Sequence, residues 1–335
     1  MSSQVQVAGH EAGMHYLDQV ASAAITTLAY FSVFRHPLRK DELARYMQFF
    51  SPTGEDLSWT LARLTAMGLV GMAGDCYYLN GHKDLVPIRK ERQHRALAWL
   101  AKVATPAAIL SQVPFLAALS LSGSLSKGTQ DADGDIDFFV LVKPGRVWTS
   151  RFLLGLFLRL LPAAGRERFC ANFFLACDHL VLRRKNLFIA TEIAFLRPLI
   201  NDPLWQDFYA ANDWVRDFYP DWSAPVGMAE AKPERWMKRL AEWALGGAFG
   251  NWVEARLFQT LSGRYKRQNA ARHGDDPLAQ RALHYFEIGH SRAFEFHLRA
   301  RVQATLKQFQ ERNQVQLMAW PWDLDESQEI RTKAS

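Results

Sequence analysis

The chain has 335 residues, of which 49% are hydrophobic and 22% are charged. This length and composition exclude an intrinsically disordered protein and predict two or three domains, each with its own hydrophobic core. The formal net charge of +6 favours a polyanionic partner such as a nucleotide, a nucleic acid or an anionic lipid surface, although many ordinary enzymes carry a similar charge.

The cysteines and the first residues of the chain indicate a reducing compartment. Cys76, Cys170 and Cys177 are odd in number and form no Cys-x-x-Cys pair, which argues against a disulfide framework and a structural zinc site. The N-terminal segment lacks the basic and apolar regions of a signal peptide, and no apolar run reaches the ~20 residues of a membrane span. We therefore expect a cytoplasmic protein.

Residues 21–87 have the pattern of a small helical unit that ends in a β-hairpin. Helical spacing of apolar residues predicts a first helix, and further helices are predicted over residues 40–47 and 57–67, followed by two short strands around Gly74. This order is typical of a winged helix, which can bind DNA through its third helix. Arg63 is the single base in that helix, so we favour a structural or protein-docking role and keep nucleic-acid binding as the alternative.

Residues 119–142, LSLSGSLSKGTQDADGDIDFFVLV, contain an apolar strand, a Gly-Ser turn, a polar loop and a second apolar strand. Asp135 and Asp137 stand two positions apart where the second strand starts, so their side chains should point the same way. Neighbouring carboxylates repel each other unless a cation or a shared proton compensates. Oxygen ligands of this kind suit Mg²⁺, which completes its coordination with water and substrate phosphates.

The turn that precedes these acids has the chemistry of a phosphate site. Gly123 has no Cβ, so the backbone there can approach a phosphate closely. The Ser124 hydroxyl and the amides that follow it can donate hydrogen bonds to phosphate oxygens. Lys127 follows the turn and is a candidate phosphate contact, with a solvated loop lysine as the alternative.

Gly123-Ser124, ten intervening residues and then Asp135-Ile136-Asp137-Phe138 resemble the hallmark of the DNA polymerase β nucleotidyltransferase superfamily. The resemblance implies an α/β (α+β) fold with a mixed sheet and helices. It also implies that the two acids bind Mg²⁺, as two ions with Mn²⁺ as the alternative metal, and that the turn binds a nucleoside triphosphate. The implied reaction moves a nucleoside monophosphate to an acceptor, which the sequence does not identify, and releases pyrophosphate.

The third carboxylate of the superfamily has no obvious counterpart in the sequence. Members of the superfamily usually carry it on a neighbouring strand, where this chain has Cys170. Glu192 and Asp178 are the available substitutes. We favour Glu192 as a catalytic residue, because a lone carboxylate in an apolar segment is costly unless it binds a metal or a base. The alternative for Glu192 is an ion pair with Arg197 or another local base.

The chain beyond residue 200 is predicted to form a helical domain rich in tryptophan. Six tryptophans lie at positions that suit amphipathic helices: Trp205, Trp214, Trp222, Trp236, Trp243 and Trp252. We favour packing of these side chains in a core, since aromatic stripes usually belong to cores. Peripheral contact of a basic amphipathic helix with an anionic membrane is the less favoured alternative. Residues 263–274 are expected to form a basic loop over the nucleotide.

These patterns predict an organisation in five parts. They are a flexible N-terminus (1–20), a winged-helix-like domain (21–87), a nucleotidyltransferase domain (88–200), a helical C-terminal domain (201–325) and a flexible tail (326–335). The functional alternative is a non-catalytic regulator that senses nucleotide at a degenerate site and binds DNA through the winged-helix-like domain.

Overall fold

The computed structural model describes residues 15–159, 169–182, 184–200, 202–225, 236–273, 286–287 and 292–324. Within these ranges the chain is a mixed α/β protein, which confirms the expected fold class at that level. The N-terminal residues 1–14 and the predicted tail, 326–335, lie outside the described residues. None of the described helices combines the length and the hydrophobicity that crossing a lipid bilayer requires.

The helices and strands are numbered in chain order. The α-helices are α1 (Gln19–Val33), α2 (Lys40–Arg45), α3 (Gly54–Ala66), α4 (Leu85–Leu110), α5 (Gly123–Ser126), α6 (Val147–Leu158), α7 (Leu187–Ala194), α8 (Asp202–Ala211), α9 (Trp236–Ala244), α10 (Ala248–His273) and α11 (Arg292–Asn313). The strands are β1 (His15–Tyr16), β2 (Leu38–Arg39), β3 (Val70–Ala73), β4 (Cys76–Leu79), β5 (Leu116–Ser122), β6 (Ile136–Val142), β7 (Phe169–Ala176), β8 (Arg197–Ile200), β9 (Phe286–Glu287) and β10 (Val315–Gln316). A 3₁₀ helix follows α8 at Asp213–Asp217.

The chain divides into two compact units. The first comprises Met1–Val86, Tyr219–Asp221 and Leu298–Ser335, and the second comprises Pro87–Phe218 and Trp222–His297, each as far as it is described. The five-part organisation inferred from the sequence stays a prediction.

The first unit contains α1 to α3 and a three-stranded antiparallel sheet in the order β2-β4-β3. The helices predicted over residues 40–47 and 57–67 are observed as α2 and α3, and the predicted strand pair is the β3-β4 hairpin. Asp18 caps the N-terminus of α1, and its carboxylate accepts a hydrogen bond from the Ala21 amide at 2.9 Å. Its apolar side chains, among them Ile25 and Leu28, are buried.

The second unit is built on a five-stranded mixed sheet in the order β8-β5-β6-β7-β9. β6 and β7 are parallel, whereas β5 is antiparallel to both β6 and β8. β6 is the apolar strand expected from the sequence, and its residues Ile136, Phe138 and Val140 are fully buried with Trp148 of α6 in one hydrophobic core. The sheet therefore fixes the ends of β5 and β6 within a rigid core.

The C-terminal helices depart from two expectations. Trp205 and Trp222 are buried, as expected, but Trp236, Trp243 and Trp252 are exposed on α9 and α10. The sequence predicts that the apolar face of these helices packs in a core, whereas in the structure much of that face is exposed. The prediction of a loop at residues 263–274 is also wrong, because α10 continues as a helix to His273.

Candidate active site

The bend after β5 is shaped by the carboxylate of Asp137. Gly123 has φ +66°, in the left-handed region that favours glycine. A Cβ at this position would lie 3.0 Å from Cγ of Asp137 and closer still to its Oδ2. The strand register explains the contact, because Ser122 pairs with Asp137 across β5 and β6. A side chain at position 123 would therefore clash with Asp137, and it would also keep a phosphate away from the backbone of the bend.

A buried glutamine closes the loop between the bend and the two acids. The Gln130 side-chain amide donates hydrogen bonds to the carbonyls of Gly134 (2.8 Å) and Asp135 (3.0 Å), and its oxygen accepts one from Ser124 Oγ (2.8 Å). Its backbone amide donates to the carbonyl of Arg92 on α4. Gln130 is fully buried. Sequence reasoning missed this residue, since a glutamine in a polar loop carries no sign of burial.

Three carboxylates lie near enough to influence one another where β6 begins. Burial first, and then the negative charges of Glu192 and Asp135, raise the pKa of Asp137 to about 7. Lys127 acts in the opposite direction and lowers it. Asp135 itself is exposed, whereas Asp137 is partly buried. The structure thus brings the two predicted acids together with the favoured third one.

Lys127 and Glu192 form an ion pair beside Asp137. Lys127 Nζ lies 2.8 Å from Glu192 Oε1 and donates a second hydrogen bond to the carbonyl of Gly123 at 3.1 Å. The two side chains are only 11% and 18% exposed, so the solvated-lysine alternative does not hold. The local base that partners Glu192 is Lys127. Its position beside the bend leaves it close to any ligand bound there.

Neither Cys170 nor Asp178 supplies the third carboxylate. Cys170 pairs with Asp137 across the parallel strands β6 and β7, so a thiol occupies the position expected for the acid. Asp178 follows the far end of β7, about 20 Å or more away at the usual rise of a strand. It is about half exposed and pairs with His179 at 3.0 Å. The structure does not bring Asp178 to the site.

The helix that carries Glu192 is fixed by residues from distant parts of the chain. Asn186 caps α7 by accepting a hydrogen bond from the Ile189 amide at 2.9 Å. Its amide nitrogen donates to Glu295, which also forms an ion pair with Arg184 at 2.8 Å. These contacts hold the N-terminus of α7 in place. They could not be read from the sequence, because Glu295 is more than a hundred residues from its partners.

Asp135 and Asp137 are the candidate ligands for Mg²⁺ at this edge of the sheet. Among the residues that the structure describes, no group of three or more His, Cys, Asp or Glu side chains is arranged to hold a metal ion. Mg²⁺ commonly takes one or two carboxylates and completes its shell with water and substrate phosphates. The repulsion that raises the pKa of Asp137 is the kind that a bound cation relieves. Asp135 and Asp137 therefore fit Mg²⁺ held jointly with a phosphorylated ligand.

Comparison of the chain with family models, with curated proteins and with solved structures finds no match. The local arrangement at the edge of the second unit's sheet is the feature that indicates a function. That arrangement consists of the Gly123 bend, the acids Asp135, Asp137 and Glu192, and the partly buried Lys127.

Proposed function

We propose that the chain is a Mg²⁺-dependent nucleotidyltransferase that transfers a nucleoside monophosphate from a nucleoside triphosphate to an acceptor and releases pyrophosphate. One observation carries the proposal: the carboxylate of Asp137 packs against the Gly123 bend, with the charges of Asp135 and Glu192 close enough to raise its pKa. The resemblance of residues 119–142 to the polymerase β superfamily supports the same chemistry. A cytoplasmic location, where nucleoside triphosphates are available, is part of this proposal.

The residues of the site have distinct roles under this proposal. Asp135 and Asp137 would hold Mg²⁺, which would supply positive charge against the negative charge of the transferred phosphoryl group. Lys127 keeps the Glu192 carboxylate beside them. The Gly123-Ser124 bend receives the triphosphate. Because the Ser124 hydroxyl donates to Gln130, its binding to a phosphate oxygen requires the hydroxyl to change partner.

Transfer of label from α-labelled ATP, GTP, CTP and UTP tests the proposal. Each triphosphate is incubated with Mg²⁺, the purified protein and a cell extract that supplies acceptors. The labelled acceptor, which keeps the α-phosphate, and the unlabelled pyrophosphate are measured. Wild type is expected to label an acceptor from at least one triphosphate. Asp135→Asn and Asp137→Asn are each expected to lower the rate roughly 100-fold or more, because each removes a charge that the transition state requires.

Asp133→Asn is the matched control, because Asp133 is an exposed acid in the same loop. It is expected to keep the wild-type rate. Equal transfer by wild type and both site variants, with circular dichroism showing that all are folded, would contradict the proposal. So would the absence of label transfer from all four triphosphates in Mg²⁺ and in Mn²⁺.

The structure of α3 gives little support to the DNA-binding alternative. Its first turn carries the acids Glu55 and Asp56, which would face phosphates unfavourably. Its single base, Arg63, is paired with Asp18 and lies over the ring of Trp59 at 4.7 Å. Salt-dependent binding to duplex DNA in the absence of nucleotide transfer would favour that alternative over the enzyme.

A further inference from the structure

Helix α9 buries its polar side. Lys238 is 5% exposed, and its Nζ donates hydrogen bonds to the carbonyls of Ser111 (3.2 Å) and Leu116 (2.9 Å). Glu242, one turn further on, accepts hydrogen bonds from the Phe115 amide (2.7 Å) and from Lys143 Nζ (2.6 Å). These contacts attach α9 to the end of α4 and to the sheet through charged groups. The inward face of α9 is consequently the polar one.

The outward side of α9 and of the start of α10 is apolar and exposed. Trp243 is 80% exposed, which is far more than a tryptophan in a core. The side chains that share this surface are named here the aromatic face: Trp236, Met237, Leu240, Trp243, Phe249 and Trp252. A cluster of large apolar side chains of this kind marks a surface that binds a partner.

The start of α10 repeats the arrangement. Glu254 is buried and accepts hydrogen bonds from the amides of Trp148 (2.9 Å) and Thr149 (2.8 Å) at the N-terminus of α6. On the opposite side, the rings of Phe249 and Trp252 stack with their centroids 6.0 Å apart. α9 and the start of α10 therefore have the same arrangement: their acids are turned inward and their aromatic rings are turned outward.

The exposed charges on the described residues of α9 and the start of α10 are basic. Residues 236–261, whose side chains are described throughout, expose two charged groups, Arg239 and Arg256. The acids of this segment are turned inward, Glu242 to the Phe115 amide and Glu254 to the N-terminus of α6. A partner for this surface must accept aromatic side chains and also carry negative charge. A second copy of the same face would bring like charges together, which disfavours self-association through it.

We propose that the aromatic face binds the surface of an anionic lipid bilayer. Tryptophan prefers the interface between headgroups and acyl chains, because its ring is apolar and its N–H can still find a hydrogen-bond partner. Arg239 and Arg256 lie where they can reach lipid phosphates, and amphipathic helices with these side chains lie in the plane of the interface. The buried Lys238 and Glu242 hold α9 in the orientation that this binding needs.

Co-sedimentation with vesicles tests the proposal on the full chain. The vesicles contain phosphatidylcholine alone, or phosphatidylcholine with about 30% phosphatidylglycerol to supply anionic surface charge. Wild type is expected to bind the anionic vesicles at low salt and to dissociate as the salt concentration rises. Trp243→Ala and Trp252→Ala are each expected to weaken binding about fivefold or more. Arg239→Gln and Arg256→Gln are each expected to weaken it about fivefold, with little effect on neutral vesicles.

Trp59→Ala is the matched control, since Trp59 is 62% exposed but lies on α3 in the other unit. It is expected to bind as wild type does. The proposal is overturned if wild type does not sediment with anionic vesicles at low salt, or if Trp59→Ala weakens binding as much as Trp243→Ala. Sedimentation velocity without lipid supplies a further test. A dimer that Trp243→Ala dissociates would assign the aromatic face to a second copy of the chain instead.

Discussion

Asp137 is a residue at which folding and the proposed function have opposite requirements. A carboxylate that is buried beside two other acids costs free energy when it is ionised. In the folded protein the pKa of Asp137 is raised to about 7, so the carboxyl group avoids part of this cost by remaining protonated below that pH. Perturbed carboxylates of this kind are concentrated at functional sites, where a ligand compensates the charge.

Replacement of Asp137 by asparagine is expected to stabilise the metal-free protein at alkaline pH. The folded-state pKa of about 7 lies above the ordinary value of 3.8. Ionisation of Asp137 therefore opposes folding, and its contribution lowers the stability of wild type as pH rises from about 4 to about 7. Asp137→Asn cannot ionise and avoids this loss. Its gain in the free energy of unfolding is expected to be small near pH 4 and to reach on the order of 3 kcal/mol above pH 7.

Urea unfolding at several pH values in EDTA measures this difference. Asp133→Asn is again the control, and its stability is expected to follow that of wild type at every pH. A gain for Asp137→Asn that is the same at pH 4 and pH 8 would mean that ionisation of this carboxylate does not oppose folding.

The sequence predicts some residues of the site because their relation is local. Asp137 is the second residue of β6 and Asp135 immediately precedes the strand, so their closeness follows from their spacing in the sequence. Glu192 is a different case, because it comes from a helix 55 positions beyond Asp137 and no periodicity connects the two. Its apolar surroundings marked it as unusual, but only the packing of α7 shows that Lys127 is its partner.

Among the secondary-structure elements, α6 depends on a cap supplied from outside the helix. Arg146, its N-cap residue, directs its guanidinium to the carbonyls of Leu245 and Gly246. The first amides of α6 are instead bound by the buried carboxylate of Glu254 on α10, which also accepts the Thr149 hydroxyl at 2.6 Å. An anion at this position is favourable, since the N-terminus of a helix carries partial positive charge.

Glu254→Gln is therefore expected to destabilise the second unit. The amide nitrogen of glutamine cannot accept a hydrogen bond, so donors at the start of α6 lose a buried partner. We expect the free energy of unfolding to fall by about 2 to 4 kcal/mol. Chemical unfolding followed by circular dichroism measures the change. Glu311→Gln, at an exposed glutamate that pairs with Lys307 at 3.8 Å, is the control and is expected to change stability by less than about 0.5 kcal/mol.

The orientation of α9 shows what a helical pattern leaves undetermined. The spacing of Trp236, Leu240 and Trp243 predicts one apolar face on α9, and that face exists. The apolar face of an amphipathic helix is usually buried, whereas in α9 the side that carries Lys238 and Glu242 is buried. The partners of these charged groups are backbone carbonyls, an amide and a lysine about a hundred residues away, so the orientation depends on tertiary contacts that periodicity does not contain.

The whole molecule consists of two units with separate cores, and this organisation has a thermodynamic consequence. We expect calorimetry to resolve two unfolding transitions, because units that bury their own cores unfold with their own midpoints. A non-hydrolysable triphosphate with Mg²⁺, at about 100 times its dissociation constant, is expected to raise one midpoint by about 5 to 10 °C.

Glu254→Gln identifies which transition belongs to the second unit, since it is expected to lower the same midpoint that the ligand raises. In Asp135→Asn the shift caused by ligand is expected to disappear. A ligand that raises the other transition would place the triphosphate site outside the second unit. A ligand that raises neither would argue against the proposed nucleotide site.

The attachment of α7 connects the charge balance at Asp137 to a remote part of the chain. Glu192 is beside Asp137 because α7 starts where Asn186 and Arg184 contact Glu295. If Glu295 withdrew, the third acid could leave while the glycine bend and the aspartate pair stayed intact. If the chain is the proposed nucleotidyltransferase, this contact would let an event near Glu295 change its turnover from outside the substrate site.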